Sequence, residues 1–212
     1  SPSYKIITTG KADLFEISKL ADLGENFGMK GVADFEISAS GKILNADTLT
    51  HNDMKSIKGN AQVTLQNGIF EINGLPEIIQ VNTEIAINEK DVVLTKLSAT
   101  VAQSETSGEA KLVNWLDYAL KKSKRIDISG KVKTSQFNVA DWQGEKTETP
   151  TAFSLPEYLS FEGSVQIGNL INEETQFQNV RSDIAYFPKR LSLSNTYFDG
   201  FGGQVFTNST LQ

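Results

Sequence analysis

The sequence predicts a mainly β protein: a curved antiparallel sheet of repeated strand–turn units, groove-like or taco-like or closing as a sandwich, with one or two short helices. Three observations predict it. Apolar and polar residues alternate with a period of two over many short segments, several segments begin at a glycine, and one block of the chain recurs near the C-terminus. Such alternation is typical of strands with one apolar and one wetted face.

The first clear strands lie between Lys30 and Ile72. Residues 33–40 read ADFEISAS, and a second alternating run begins at Ile57. Asn67-Gly68 predicts a hairpin, because this pair accommodates the positive φ of a type I′ turn. A new strand containing Phe70 would then follow.

The next segment predicts a tight turn and a bulge. Residues 88–91, NEKD, follow an alternating run and predict the turn. Val92 and Leu94 keep one phase of the alternation, but the apolar residues from Leu97 onward take the other phase. A β-bulge near Thr95-Lys96 would reconcile the two phases and add curvature.

One or two short helices are predicted. The segment from Ile17 to Gly24 has helical spacing and a glycine where a helix would stop, so it predicts a short helix or an irregular loop. Residues 112–124, LVNWLDYALKKSK, have apolar residues at positions i, i+3, i+4 and i+7, with basic residues at the C-terminal end. We expect Trp115 to be buried where this helix covers one end of the sheet; the alternative is a membrane-surface anchor. The apolar face of this helix comprises Leu112, Trp115, Leu116 and Ala119.

Two parts of the chain resemble each other. Placing Gly59 on Gly163 matches AQV with VQI, and placing Val81 on Val180 matches EIA with DIA. We expect residues 1–212 to form a single β-rich domain, a soluble piece of a longer protein. Its sub-repeats would be 30–142 and 157–212, joined by a polar, proline-containing linker at 143–156.

Composition excludes several function classes. The chain of 212 residues has 20 basic and 26 acidic residues, a net charge of −6, and no cysteine. An acidic chain lacks the positive surface on which nucleic-acid binding depends. Disulfides, thiolate nucleophiles and cysteine metal sites are excluded, and no apolar run reaches the roughly 18 residues of a membrane helix.

The residues that most resemble catalytic or metal-binding groups have simpler interpretations. His51 is the only histidine and lies in a polar loop, so we interpret it as a solvated side chain. Asp47 and Asp53 do not have calcium-loop spacing. The Glu173-Glu174 pair is interpreted as a charged turn, and the glycine-rich segment 199–204 as a tightly curved strand entry, since no lysine or helix follows it.

The apolar faces of the strands need a covering. A second sheet would make a sandwich, and closure would make a barrel. An open curled sheet would instead leave a concave apolar face for a ligand such as an acyl chain, which needs no hydrogen-bond partners. The alternation alone does not distinguish these three arrangements.

Several phrases carry a family resemblance. Residues 177–205 contain FQNV, SDIA, LSL and FDGFGGQV in succession, residues 128–142 read ISGKVKTSQFNVADW, and residues 56–72 read SIKGNAQVTLQNGIFEI. Over residues 30–212 these phrases resemble the AsmA-like proteins (AsmA, TamB and YhdP type). In the first copy, Ser107-Gly108-Glu109 replaces the Gly-Gly doublet of that family, and no segment matches its N-terminal membrane helix.

The resemblance implies a periplasmic protein of Gram-negative bacteria whose parent chain is anchored to the inner membrane. It also implies a taco-shaped apolar β-groove that acts in outer-membrane biogenesis or in phospholipid passage between membranes. The family is not known for active-site residues, so no catalytic residue is carried over.

These observations together predict a non-enzymatic lipid-binding or lipid-transfer module whose partner is a phospholipid or another acyl-chain lipid. No catalytic residue, metal site or cofactor is predicted. The alternative is a structural or adhesive β-sandwich with a closed core, and a polysaccharide-active enzyme ranks third because no cluster of convergent carboxylates is present. The predicted lipid-lining residues are Val63, Leu65, Ile85, Ile87, Ile128, Val132, Val165, Ile167 and Ile184.

Overall fold

A computed structural model describes residues 3–20, 27–42, 58–72, 76–119, 123–142, 159–188 and 190–211. Eleven strands lie within these ranges and form one curved sheet. Their bounds are β1 Ser3–Asp13, β2 Phe27–Lys42, β3 Lys58–Ile72, β4 Ile78–Ile87, β5 Asp91–Val101, β6 Ser104–Val113, β7 Ile126–Asn138, β8 Leu159–Asn172, β9 Thr175–Phe187, β10 Arg190–Gly200 and β11 Gly203–Leu211.

The strands follow one another across the sheet in sequence order. Neighbours pair antiparallel, as predicted, except for β7 and β8, which run parallel in a register that sets Ile126 beside Leu159. The described strands β1 and β11 are the two edges of the sheet. The predicted curved, mostly antiparallel sheet is thereby confirmed.

Two short α-helices accompany the described strands: α1, Leu14–Leu20, and α2, Trp115–Ala119. A 3₁₀ turn, Val139–Trp142, follows β7. The second helix is shorter than predicted, because Leu112 belongs to β6 and pairs there with Val92 and Ile128. Pairing on both sides outweighs the helical spacing of a residue that would otherwise begin the helix.

The predicted hairpin at Asn67-Gly68 is wrong. Both residues lie inside β3, where the register with β4 shifts between Leu65 and Gly68. Asn67 does have a positive φ, 52°, but it uses this conformation in a bulge. The left-handed geometry that suits a type I′ turn also suits a bulge, and pairing with β2 and β4 on either side decides between them.

Bulges cross four neighbouring strands at the same level. Left-handed residues occur at Gly31 of β2, Asn67 of β3, Gln80 of β4 and Lys96 of β5, each at a shift in strand register. The predicted bulge near Thr95-Lys96 is therefore confirmed. Because each bulge adds bend and twist, their alignment curves this part of the sheet.

The turns fall where the sequence places them, with one difference. Residues 88–91 form a tight turn in which the Asn88 N–H donates to the Asp91 carbonyl at 2.9 Å. Glu173 and Glu174 are exposed in the turn between β8 and β9. The segment 199–204 is a hairpin rather than a curved strand entry, since Gly200 pairs with Gly203 across Phe201 and Gly202.

The sequence match of Val81 with Val180 places similar contacts in the two halves of the sheet. Thr83 Oγ1 donates to the Thr95 carbonyl at 3.1 Å, and Ser182 Oγ donates to the Ser194 carbonyl at 3.4 Å. Both hydroxyl side chains are buried. The same offset also matches two polar pairs at 2.7 Å, Lys96 with Glu84 and Asn195 with Asp183.

The match of Gly59 with Gly163 does not agree with the strand register. Gly163 pairs with Ile184, and the counterpart of Ile184, which is Ile85, pairs with Val63. The structural counterpart of Gly163 is therefore Val63. The sub-repeat bounds stay predictions, and the linker at 143–156, like the loop with Asp47, His51 and Asp53, lies outside the described residues.

Candidate functional site

One face of the sheet gathers the apolar side chains. The register places Val63 opposite Ile85 and sets Val132 beside Val165. Such pairs can be followed from each strand to the next. Side chains of paired residues lie on the same face of the sheet. In this way all nine predicted lining residues fall on the same face, which is called the apolar face below.

Most of the apolar face is only partly buried. In the described residues, Val132 and Ile37 keep 37% and 40% of their surface exposed. The buried hydrophobic residues there are Leu14, Ala33, Leu65, Val81, Val180 and Tyr186. A sheet that presents many half-exposed aliphatic side chains on one side has apolar surface available for a further partner.

Helix α1 covers one part of this face. Leu14 is buried against Ala33, Leu65 and Val81, and this cluster includes partly buried side chains from β2 to β5. The Asp13 carboxylate accepts a hydrogen bond from the Phe15 N–H at 2.8 Å and so caps the helix. The apolar face is thus a closed core under α1, while Val132 on β7 keeps 37% of its surface exposed and Val180 and Tyr186 on β9 are buried.

A row of small residues leaves the middle of the apolar face without large side chains. Ala110, Gly130 and Gly163 are in register on β6, β7 and β8. A Cβ atom at Gly130 would lie 2.6 Å from the Glu109 carbonyl oxygen, and one at Gly163 would overlap the Gly130 carbonyl oxygen. Close approach of the three backbones therefore requires glycine at these two positions.

A cavity of about 330 Å³ opens on the apolar face between the β5–β6 turn and β9. This volume lies at the lower end of the roughly 300–1,000 Å³ typical of small-molecule sites. Four predicted lining residues, Val132, Val165, Ile167 and Ile184, line it. The other five lie elsewhere on the face. The remaining lining residues are Val101, Ala102, Ser104, Thr106, Thr134, Gln136, Phe137, Asn138 and Trp142.

An aromatic pair flanks the cavity. The rings of Phe137 and Trp142 stack with their centroids 5.1 Å apart and an angle of 19° between their planes. Trp142 lies in the 3₁₀ turn and is 36% exposed. The other tryptophan, Trp115, is only partly buried, less than predicted, and it donates from Nε1 to the Asn88 carbonyl at 2.8 Å.

Neutral polar groups occupy one end of the cavity, and sequence reasoning missed them. Thr106 Oγ1 lies 3.1 Å from Thr134 Oγ1, which donates to the Gln136 carbonyl at 2.9 Å. A signal was present in the sequence. Thr134 and Gln136 continue the apolar phase of Ile128 and Val132, so they place polar side chains on the apolar face.

The opposite face of the sheet is polar. There the Tyr197 hydroxyl donates to Asp199 at 2.6 Å, and Asn179 Nδ2 donates to the same carboxylate at 2.7 Å. The hydrogen bond from Tyr197 is the main cause that lowers the pKa of Asp199, and it raises the pKa of Tyr197. The bond from Asn179 joins β9 to β10.

Asp127 joins the parallel strands at the end of the sheet near α2. Its carboxylate accepts hydrogen bonds from Ser160 Oγ of β8, from Arg125 Nε at 2.9 Å and from Asn114 Nδ2 at 3.2 Å. The bond from Ser160 is the largest cause of the lowered pKa of Asp127, and the charge of Arg125 adds to it. Removing the negative charge of Asp127 should weaken this contact between β7 and β8.

We expect Asp127→Asn to lower the free energy of unfolding by about 1 kcal/mol at pH 7, because hydrogen bonds to a partly exposed carboxylate are screened by water. The folded-state pKa of Asp127 is lowered, so its contribution is present above the ordinary aspartate pKa of about 3.9 and is lost as the pH falls below it. Urea unfolding at pH 7 and pH 3 measures this.

The control for this prediction is Asp34→Asn. Asp34 forms an exposed ion pair with Lys11 at 3.2 Å, and such pairs contribute little to stability. The difference in free energy of unfolding between wild type and Asp127→Asn should be smaller at pH 3 than at pH 7. An equal gap at both pH values would contradict the role assigned to the Asp127 carboxylate.

Among the described residues, no group of three or more His, Asp or Glu side chains is placed to hold a metal ion. Neither described helix is long and apolar enough to cross a membrane. No protein-family model matches the sequence, and the comparisons with curated proteins and with solved structures give no match either. The resemblance to AsmA-like proteins therefore stays a prediction.

Proposed function

We propose that this chain is a non-enzymatic lipid-binding module whose apolar sheet face accommodates acyl chains. The observation that carries the proposal is a cavity of about 330 Å³ on the apolar face, lined by aliphatic side chains from β5, β7, β8 and β9. Removing one such side chain from water is worth about 1.5–3 kcal/mol. An acyl chain lying on this surface would gain burial without needing a hydrogen-bond partner.

The charges of the cavity support the same ligand class. None of the described side chains that line it is ionised, whereas charged side chains such as Lys133 and Glu109 point to the polar face. An apolar ligand fits a neutral lining, because no charge is desolvated when it binds.

We also propose a cellular setting, which rests on the AsmA-like phrases alone. In that setting the module works in the periplasm of a Gram-negative bacterium, within a parent chain anchored to the inner membrane. It contributes there to outer-membrane biogenesis by binding or transferring phospholipid.

The direct experiment is extraction of the purified chain with organic solvent, followed by mass spectrometry of any lipid. A hydrophobic dye that binds the native chain should be displaced by added acyl-chain lipid. Absence of lipid together with absence of dye binding would contradict the proposal and favour the alternative, a structural or adhesive domain with a closed core.

We expect Ile167→Asp to weaken binding of an acyl-chain ligand about tenfold or more, because it places an unpaired carboxylate against the ligand. Dye displacement measures the affinity. Gln166→Asp is the matched control, since Gln166 is exposed on the polar face next to Ile167. It adds the same charge and should change the affinity less than about twofold. Equal effects of the two substitutions would place the ligand elsewhere.

A further inference from the structure

The last strand of the sheet, β11, pairs with β10 along its inner edge from Gly203 to Leu211. Among the described residues, no strand pairs with its outer edge. Every second residue of an edge strand directs its backbone N–H and C=O groups away from the sheet, where they can pair with a further strand. The outer edge of β11 is therefore a surface on which another chain can extend the sheet.

β11 lacks the features by which edge strands commonly avoid such pairing. It has nine residues, which is longer than the usual length of about five or six. The sequence from Gly200 to Gln212 contains no charged residue and no proline, and no residue of β11 has a positive φ. The register shift between the last two strands places its extra residue in β10, between Leu193 and Thr196. A long, uncharged and regular edge strand favours pairing with another strand.

The opposite edge of the sheet, β1, carries charges. Its residues include Lys5, Lys11 and Asp13, and Lys11 forms an exposed ion pair with Asp34 of β2 at 3.2 Å. Lysine in an edge strand is a common means of preventing edge-to-edge contact. The two edges therefore differ, and β11 is the edge that favours a further strand.

Both faces of β11 carry exposed apolar side chains. Phe206 and Leu211 keep 74% and 73% of their surface exposed. Leu211 pairs with Leu191, which pairs with the buried Tyr186, so Leu211 continues the apolar face to the edge. Phe206 lies on the polar face beside Tyr197, with the ring centroids 5.1 Å apart. A strand added to β11 would cover part of this apolar surface.

A second copy of the chain fits this edge. Each copy has a net charge of −6, so contact between copies is least opposed where charge is absent, as along β11. A strand that pairs antiparallel with its own copy forms a closed two-fold dimer. This dimer uses both uncharged edges and leaves β1, the edge with lysines, at both ends of the joined sheet. Pairing of β11 with β1 of another copy would instead leave one β11 edge uncovered.

We infer that β11 is a dimerisation edge, along which two copies pair antiparallel with Thr207 opposite its own counterpart. This register pairs all nine residues of β11, for example Val205 with Ser209 of the second copy. Each pair joins residues of the same face, so the apolar faces of the two copies form one continuous surface. The dimer forms with or without bound lipid and so goes beyond the proposed function.

Sedimentation equilibrium of the chain, freed of lipid, tests the association. We expect a dimer with a Kd on the order of 10 µM, since one pair of edge strands is smaller than a standard interface of about 1,600 Å². Thr207→Lys places like charges opposite each other and should weaken the dimer about tenfold or more. The matched control is Thr8→Lys, at an exposed threonine near the middle of β1, which should leave the Kd unchanged. Circular dichroism checks that both variants are folded.

An introduced cysteine tests the register, because the chain has no cysteine of its own. Thr207→Cys should form a disulfide between copies on mild oxidation, since Cα atoms directly opposite each other lie about 4.5–5.5 Å apart. Ser209→Cys, on the same face of β11, should not, because its two copies would lie four residues, or roughly 13 Å, apart along the strands.

Three results would overturn the inference. The first is a wild-type chain that stays monomeric at about 100 µM, where a Kd on the order of 10 µM requires mostly dimer. The second is a dimer that Thr207→Lys does not weaken. The third is association that Thr8→Lys weakens as much as Thr207→Lys does, which would assign the contact to β11 and β1 of successive copies.

Discussion

Leu65→Ala should lower the free energy of unfolding by about 2–5 kcal/mol, the range for truncating a buried leucine. Leu65 is 5% exposed and packs beneath Leu14 of α1 together with Ala33 and Val81. Its methyl groups also fill the space in front of Gly68, where a Cβ atom would lie 2.9 Å from Leu65 Cδ2. Truncation therefore leaves a cavity in the part of the apolar face that α1 covers.

Urea unfolding followed by tryptophan fluorescence and circular dichroism measures this loss. Ile37→Ala is the control, because Ile37 lies on the same face of the neighbouring strand β2 but is 40% exposed. Ile37→Ala should lower the free energy of unfolding by less than half as much as Leu65→Ala. If the two variants unfold at the same urea concentration, α1 does not form a core with Leu65.

The second large effect is expected from Gly163→Ala, at about 2–3 kcal/mol of destabilisation, the upper part of the range for overpacking. The added Cβ atom would overlap the Gly130 carbonyl oxygen and lie 2.8 Å from Phe161 Cζ. Backbone atoms in a sheet cannot move aside without breaking their own pairing, so the strain is not relieved as easily as a clash with a flexible side chain.

Gly203→Ala is the matched control for this substitution. A Cβ atom at Gly203 meets no atom within 4 Å, so the change should stay within about 0.5 kcal/mol of wild type. Thermal and urea unfolding of the two variants give the comparison. Equal stability of Gly163→Ala and Gly203→Ala would mean that β7 and β8 do not approach as closely as described.

Much of the fold follows from local alternation. Val63 and Ile85 could be assigned to one face from sequence alone, because side chains in a strand alternate strictly between faces. The turn at 88–91 and the bulge near Lys96 were predicted for the same reason: each interrupts or reverses a phase that is otherwise regular. Such features depend on nearby residues only.

The two wrong predictions lie where pairing with strands distant in sequence decides the local structure. Asn67 was assigned to a hairpin because its own preference for positive φ does not reveal which strands flank it. Leu112 was assigned to a helix because its spacing does not reveal its pairing with Val92 and Ile128. In both cases pairing between strands overrides the local preference.

The candidate site was predicted in part. Its aliphatic wall, for example Val132 and Ile167, follows from the alternation. The polar end of the cavity does not follow from it, because alternation predicts apolar side chains at the positions that Thr134 and Gln136 occupy.

The parallel pairing of β7 with β8 separates two meanders, in each of which every strand pairs with its neighbour in sequence. An antiparallel pair can form first beside its turn and then extend residue by residue. The parallel pair of β7 and β8 has no turn beside which pairing can begin, because all its paired residues are separated by the same length of chain. The entropy of closing that chain must be lost before any of its contacts forms. Folding of the whole sheet should therefore be limited by the rate at which two locally assembled halves join along this seam.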